Sequence, residues 1–159
     1  MIRPLHPEDI PALLTLNNAH ATELSWQDPG MFNRLLEAAS FVRVAADASA
    51  FLVAMDEQAA YQGRHFQWFK ARYDRFLYID RVVVAVERRG DGTARALYAA
   101  LFDHAKVQGR TRLCCEVNVE PPNPASARFH TKLGFHPVGR SVPLDGGKVV
   151  DYLVKDAWT

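Results

Sequence analysis

The stretch that most restricts how this chain can fold is Val82–Leu97, VVVAVERRGDGTARAL. Three β-branched valines at 82–84 favour an extended strand. The run stops at a charged turn, where Gly90 and Gly92 hand over to an Ala/Leu pattern of helical spacing. A strand that ends in a glycine turn and opens directly into a helix leaves the first helical N–H groups without partners, at the positive end of the helix dipole. Such an end holds anions, and glycines let the backbone approach phosphate oxygens closely. Arg89 and Arg95 flank the turn and add charge. The spacing predicts a phosphate cradle. It is not a Walker loop, because no Gly-Lys-Ser/Thr follows, and a dinucleotide fingerprint would need glycine at Arg95.

The rest of the composition narrows the class. A length of 159 residues predicts one domain, over residues 1–159, large enough to bury a real core. Hydrophobic residues make up 48% and charged residues 23%, as in ordinary globular proteins rather than disordered ones. A net charge of +1 supplies no field that would draw the chain to nucleic acid or an anionic membrane. No apolar run approaches the roughly 20 residues that span a bilayer. The opening residues MIRPLHPEDI lack a signal-peptide core, which places the expected location in the cytoplasm. Cys114 and Cys115 are neighbours in a strand pattern and point to opposite faces, so they read as small buried hydrophobes rather than a bridge or nucleophiles. Two cysteines without a nearby histidine pair, and six histidines without i,i+4 spacing, predict no metal site.

Taken in order, Ile2–Leu5 reads as a short strand, and His6-Pro7-Glu8-Asp9 as the start of a helix reaching about Ala21. A second helix follows the Asp28-Pro29-Gly30 turn, and Phe41–Ala46 with Ala50–Met55 form a hairpin. The segment from Asp56 to Asp74 is irregular, with Tyr61, Phe66, Trp68, Phe69 and Tyr73 among basic residues. Interleaved rings and bases can stack on nucleotides. On a near-neutral chain they read instead as rings packed over the sheet, a dimer contact, or a lid over an acceptor pocket. Phe76–Ala85 is a strand apolar enough to be covered on both faces, interrupted by Asp80 and Arg81, which must pair or face a cleft. Gly92–Gln108 is the helix after the cradle, and Arg112–Val119 the next strand, parallel to the one before. Asn123 suits an N-cap, Pro124 the first helical position and Gly134 the C-terminal stop of a short helix. Within it Ala125, Phe129 and Leu133 share one stripe, and Asn123, Ser126 and His130 another. Phe135–Val142 and Lys148–Val154 close the chain as a hairpin across Asp145-Gly146-Gly147.

Two motifs together give a resemblance. Arg89-Gly90-Asp91-Gly92-Thr93-Ala94 resembles motif A of the GNAT superfamily of N-acetyltransferases, Arg/Gln-Xaa-Xaa-Gly-Xaa-Gly/Ala after a Val-rich strand. Asn123-Pro124-Ala125-Ser126-Ala127-Arg128-Phe129-His130-Thr131-Lys132-Leu133-Gly134-Phe135 resembles motif B. They stand in the right order, and the N-terminal helices and hairpin match the superfamily's first half, so the likeness covers nearly the whole chain. It extends to a bacterial group of predicted acetyltransferases with YIDRVVV and CEVNxxPPNPxSxxFH signatures, a group without an assigned substrate.

The resemblance implies an α/β (α+β) fold, with a mixed sheet of about seven strands flanked by about four helices. Two adjacent parallel strands, Leu77–Val84 and Arg112–Asn118, would splay apart to admit the pantetheine of acetyl-CoA. The arm would bond to backbone along Val82, Val83 and Val84, and the pyrophosphate would meet N–H groups of Arg89, Gly90, Asp91, Gly92, Thr93, Ala94 and Arg95. Asn123, Ser126, Phe129 and His130 would face the arm. His130 departs from the superfamily, which usually has there the tyrosine taken as general acid toward the leaving thiolate. An imidazole could act as that acid, contact the sulfur without giving a proton, or merely wall the pocket. Two carboxylates could serve as base toward the amine, Glu116 and Asp80; the other reading of Asp80 is an ion pair with Arg81, Arg112 or a loop arginine.

The implied activity is direct acetyl transfer from acetyl-CoA to a primary amine of a small molecule or peptide. A homodimer is common in such folds. The rival readings are an acyl-CoA-binding or regulatory module without transfer chemistry and, more distantly, a nucleic-acid binder.

Overall fold

The computed structural model describes residues 1–21, 24–145 and 147–156. Seven strands form one mixed sheet in the order β1-β2-β3-β4-β5-β7-β6. They are β1 (Ile2–Pro4), β2 (Phe41–Ala45), β3 (Ala50–Asp56), β4 (Leu77–Val84), β5 (Arg112–Glu120), β6 (His136–Ser141) and β7 (Val149–Asp156). Helices α1 (Ile10–Ala19), α2 (Pro29–Ala38) and α3 (Arg64–Lys70) cover one face, and α4 (Thr93–Val107) and α5 (Pro124–Lys132) the other. No helix among the described residues is long and apolar enough to cross a membrane. The turn expected at Asp145-Gly146-Gly147 includes Gly146, which lies outside the described residues.

Period-two alternation sorts the central strands between two cores. Phe51, Val53 and Met55 of β3 join Leu13, Phe32, Phe66 and Phe69 beneath α1–α3, while Ala50, Leu52 and Ala54 join Leu97, Tyr98 and Leu101 beneath α4. Cys114 and Cys115 separate in the same way, both free and buried.

The architecture is the expected one, a mixed seven-strand sheet flanked by helices, with one local addition: the aromatic segment read as irregular contains α3, which makes five α-helices among the described residues. Phe66, Phe69 and Tyr73 recur at helical spacing, and Phe66 and Phe69 are fully buried. The intervening Trp68 blurs the stripe in sequence, because it is used elsewhere, stacked 4.1 Å from the Tyr152 ring of β7. The first α-helix is also shorter than expected, ending at Ala19 behind a 3₁₀ turn at Pro7–Asp9.

Two irregularities in β4 shape the middle of the sheet. Val53 faces Arg81 and Ala54 faces Ile79, so Asp80 is an extra residue with no partner in β3, a β-bulge. A bulge reverses the alternation, and Arg81 therefore points to the α1–α3 face instead of toward α4. On its other side β4 pairs with β5 in parallel only at Leu77↔Leu113 and Tyr78↔Cys114. Beyond those residues the strands part, while β5 stays paired with β7 as far as Glu120.

Candidate active site

The split opens a cleft of about 620 Å³ that passes between the two faces of the sheet. Its phosphate end is built by the turn between β4 and α4. Gly90 and Gly92 sit at φ +84° and +88°, where an L side chain is strained, yet an added Cβ would meet only open space. Conformation, rather than crowding, demands glycine there. The first α4 helical bond runs from Ala96 N to Gly92 O, at 3.0 Å, so the N–H groups of Ala94 and Arg95 precede the helical ladder. Asp91 claims the preceding donor, its Oδ1 accepting from Thr93 N at 3.0 Å. Arg88 pairs with both Asp47 and Asp91 across this end.

The α4/α5 wall is set by the capping chemistry read from the sequence. Asn123 Oδ1 accepts from Ser126 N at 3.3 Å, and Gly134, at φ +97°, ends the helix. Of the two α5 stripes, the one containing His130 is the more buried: His130 is 4% exposed, Phe129 and Leu133 are half-buried against the core, and Ala125 is exposed. Both His130 ring nitrogens are engaged. Nδ1 lies 2.8 Å from the Ser126 carbonyl oxygen and Nε2 lies 2.6 Å from the Tyr98 hydroxyl. A carbonyl only accepts, so Nδ1 carries the proton, and the neutral ring accepts the Tyr98 hydroxyl proton at Nε2. Burial pushes the His130 pKa down, which favours that neutral form.

The opposite wall, under α1 and α3, is polar. Glu116 on β5 accepts from the Tyr78 hydroxyl at 2.7 Å. Asp80, on the bulge, accepts from the Tyr61 hydroxyl at 2.8 Å and from Arg81 Nε at 2.6 Å. Arg81, 7% exposed, also donates to Asn17 Oδ1 of α1 at 2.7 Å. Desolvation, with the Asp80 charge second, pushes the Glu116 carboxyl up to about 8, whereas the hydrogen bond from Tyr78 acts the other way. On α3, His65 Nδ1 lies 2.9 Å from the Tyr152 hydroxyl, and burial lowers its pKa to about 4.

Of the residues singled out from the sequence, all line this cleft except Asp91, which turns into the α4 cap. Sequence reasoning missed Tyr78 and Tyr98, and named Tyr61 only as one ring of the aromatic segment, not as a partner of Asp80. Their hydroxyls meet Asp80, Glu116 and His130 only through tertiary packing, and no spacing rule joins residues so far apart in the chain. Among the described residues no group of three or more His, Cys, Asp and Glu side chains could hold a metal ion.

The profile of the Acetyltransferase (GNAT) family matches residues 15–135. The chain belongs to that family. Membership makes it an acetyltransferase, and the co-substrate that goes with the family, acetyl-CoA, fits what the cleft presents: a glycine turn at a helix start for a diphosphate, and unpaired strand edges for an amide-bearing arm. None of the curated proteins matches the chain. Among solved structures it is similar to the NatC complex bound to Gag peptide and CoA, with a TM-score of 0.76 and 17% identity over 99% of this chain and 98% of that one. The ribosomal-protein-S18-alanine N-acetyltransferase from Escherichia coli gives 0.72 and 18%, over 100% and 94%. NAA60 of Arabidopsis thaliana in complex with acetyl-CoA gives 0.74 and 14%, over 98% of each chain. At these identities the likeness is one of fold.

Proposed function

We propose that this GNAT domain, spanning residues 1–159, moves the acetyl group of acetyl-CoA directly to a primary amine of a small molecule or peptide. The observation that carries the reading is a relation across the sheet. Glu116 lies on the α1–α3 side and His130 on the α4/α5 side, yet both line one cleft because β4 and β5 part between them. A thioester held along the α4/α5 wall is thereby open to an amine arriving from the other face.

In this mechanism Glu116, as its carboxylate, takes a proton from the acceptor ammonium, directly or through one water. The freed amine attacks the thioester carbonyl carbon; the C–N bond forms, the nitrogen gives its second proton to water, and the C–S bond breaks with its electron pair leaving on sulfur. A carboxyl raised to about 8 is a stronger base than an ordinary glutamate and better matched to an ammonium. Asp80, already shared between Arg81 and Tyr61, acts on the reaction through Glu116. The remaining barrier reduction comes from holding the two reactants together. The similar structures that bear a peptide complex or a ribosomal-protein name support an amine on a polypeptide as one acceptor class.

The test is release of free CoA from acetyl-CoA against a panel of amines and peptide N-termini, with sedimentation to detect the homodimer that the fold permits. Amine-dependent CoA release lost in Glu116→Gln supports the reading. Calorimetric CoA binding with no turnover over the whole panel would replace it with the binding-module alternative. The working location consistent with this reading is the cytoplasm.

A further inference from the structure

We infer that Tyr98, which belongs to neither sequence motif, delivers the proton to the sulfur of the departing coenzyme, and that His130 behind it stores and returns that proton. The inference rests on the acetyltransferase reading above and assigns a group to its leaving-group step.

The geometry starts with what His130 lacks. Its single N–H is held by the Ser126 carbonyl, and its other nitrogen is occupied by the Tyr98 hydroxyl at 2.6 Å. Phe129 and Phe135 stand edge-on to the imidazole at 5.5 and 5.3 Å, leaving the ring fixed in that pose. In this arrangement the imidazole has no N–H to offer a sulfur atom. Tyr98, on α4 one turn beyond the phosphate turn, lines the cleft beside His130, and its hydroxyl is the group bonded to the imidazole Nε2.

The proton then moves in two balanced steps. In loading, a hydronium ion in the cleft gives a proton to the Tyr98 oxygen and departs as water, while the Tyr98 proton passes to Nε2, giving an imidazolium and a phenol whose O–H is turned to the cleft. In discharge, the C–S bond breaks with its electron pair on sulfur. The sulfur takes the Tyr98 proton, and the Tyr98 oxygen takes back the proton from Nε2. Neither group suffices alone. Burial, with Cys115 and Glu116 of β5 as the ionisable neighbours, holds the Tyr98 phenol well above 10, too weak an acid for a thiolate. The imidazolium, with its pKa pushed below the usual histidine value, is a stronger acid than a thiol of pKa near 8.5, but its Nε2 is bonded to the Tyr98 hydroxyl and its Nδ1 to the Ser126 carbonyl, so its proton leaves through Tyr98.

The experiment uses Tyr98→Phe, which removes one oxygen and keeps the ring packed, His130→Gln, which keeps polar contacts but carries no proton, and the double variant. Each single change is expected to lower kcat by about 10²-fold, with KM for acetyl-CoA nearly unchanged, and the double to fall no further. Unchanged kcat in Tyr98→Phe overturns the relay. So do losses that multiply in the double variant, or a raised KM at constant kcat, which would mark a purely structural contact. Failure of the unaltered protein to transfer acetyl at all would instead overturn the acetyltransferase reading beneath it.

Discussion

The hydroxyl of Tyr78 donates to Glu116 Oε1 at 2.7 Å from the last residue at which β4 still pairs with β5. The carboxylate thus sits at the fork of the split, anchored from the closed side and facing the open one. A donor to the charged form stabilises that form, so this bond opposes the desolvation that raises the Glu116 pKa. Tyr78→Phe removes the donor and keeps the buried ring. The alkaline rise of kcat/KM is then expected to move upward by about one pH unit, since hydrogen bonds to charged groups are worth about 1.5–3 kcal/mol. A pH profile in which the midpoint stays put would detach Tyr78 from the base.

Asp80 acts on Glu116 with the opposite sign. Its charge raises the Glu116 pKa while Arg81 lowers it, so Asp80→Asn leaves Arg81 to dominate and the midpoint falls below 8. The same change strips a buried guanidinium of its counter-ion, a loss of about 3–5 kcal/mol in stability that a thermal melt reads directly. Activity that survives with an acid-shifted profile identifies Asp80 as a tuning group. Complete loss of kcat at every pH would make Asp80 the base instead.

The parts of this site that could be read from the chain are those governed by rules local in sequence. Glycines at 90 and 92 imply left-handed backbone, and Asn123, Pro124 and Gly134 imply a capped short helix; neighbouring residues alone decide both. The parting of β4 and β5 came from the resemblance rather than from any pattern within the strands, both of which look fit to pair throughout. The bulge at Asp80 was hidden because it depends on the register against β3, and that register sets which face Arg81 takes. Likewise Tyr98 reads as one more apolar residue of an amphipathic helix until α5 places an imidazole beside its hydroxyl.

Glu116→Gln separates function from stability. The native state holds the Glu116 proton to about pH 8, whereas the unfolded chain releases it near 4.3. The folded form therefore binds more protons across that window, and this residue's contribution to stability declines as pH rises through it. Glutamine does not titrate. The variant is expected to lose about 10²-fold or more in kcat/KM, yet to melt at a higher temperature than the parent at pH 8–9, the difference vanishing below pH 4. Melting temperatures that run parallel at all pH values would show that Glu116 is ionised as readily in the fold as outside it.

The α4 cap leads to the last prediction. Asp91 places a carboxylate at the helix start where a diphosphate would bind, and its acceptor bond to Thr93 N uses one of the donors an anion would want. Its pKa is lowered by the Thr93 side-chain and backbone bonds, so the charge is present at neutral pH. Asp91→Asn keeps an oxygen to cap Thr93 and removes the repulsion. The exposed pairing with Arg88 that it gives up is worth little, and Arg88, which also lines the cleft, keeps its charge. A unit charge near a helix end is worth about 0.3–1 kcal/mol at low ionic strength, so CoA should bind about two- to fivefold more tightly to the variant by calorimetry. At molar salt, where the screening length shrinks to about 3 Å, the two proteins should bind alike. Weaker binding by Asp91→Asn at low salt would mean that the carboxylate serves to shape the turn for the diphosphate rather than to oppose it.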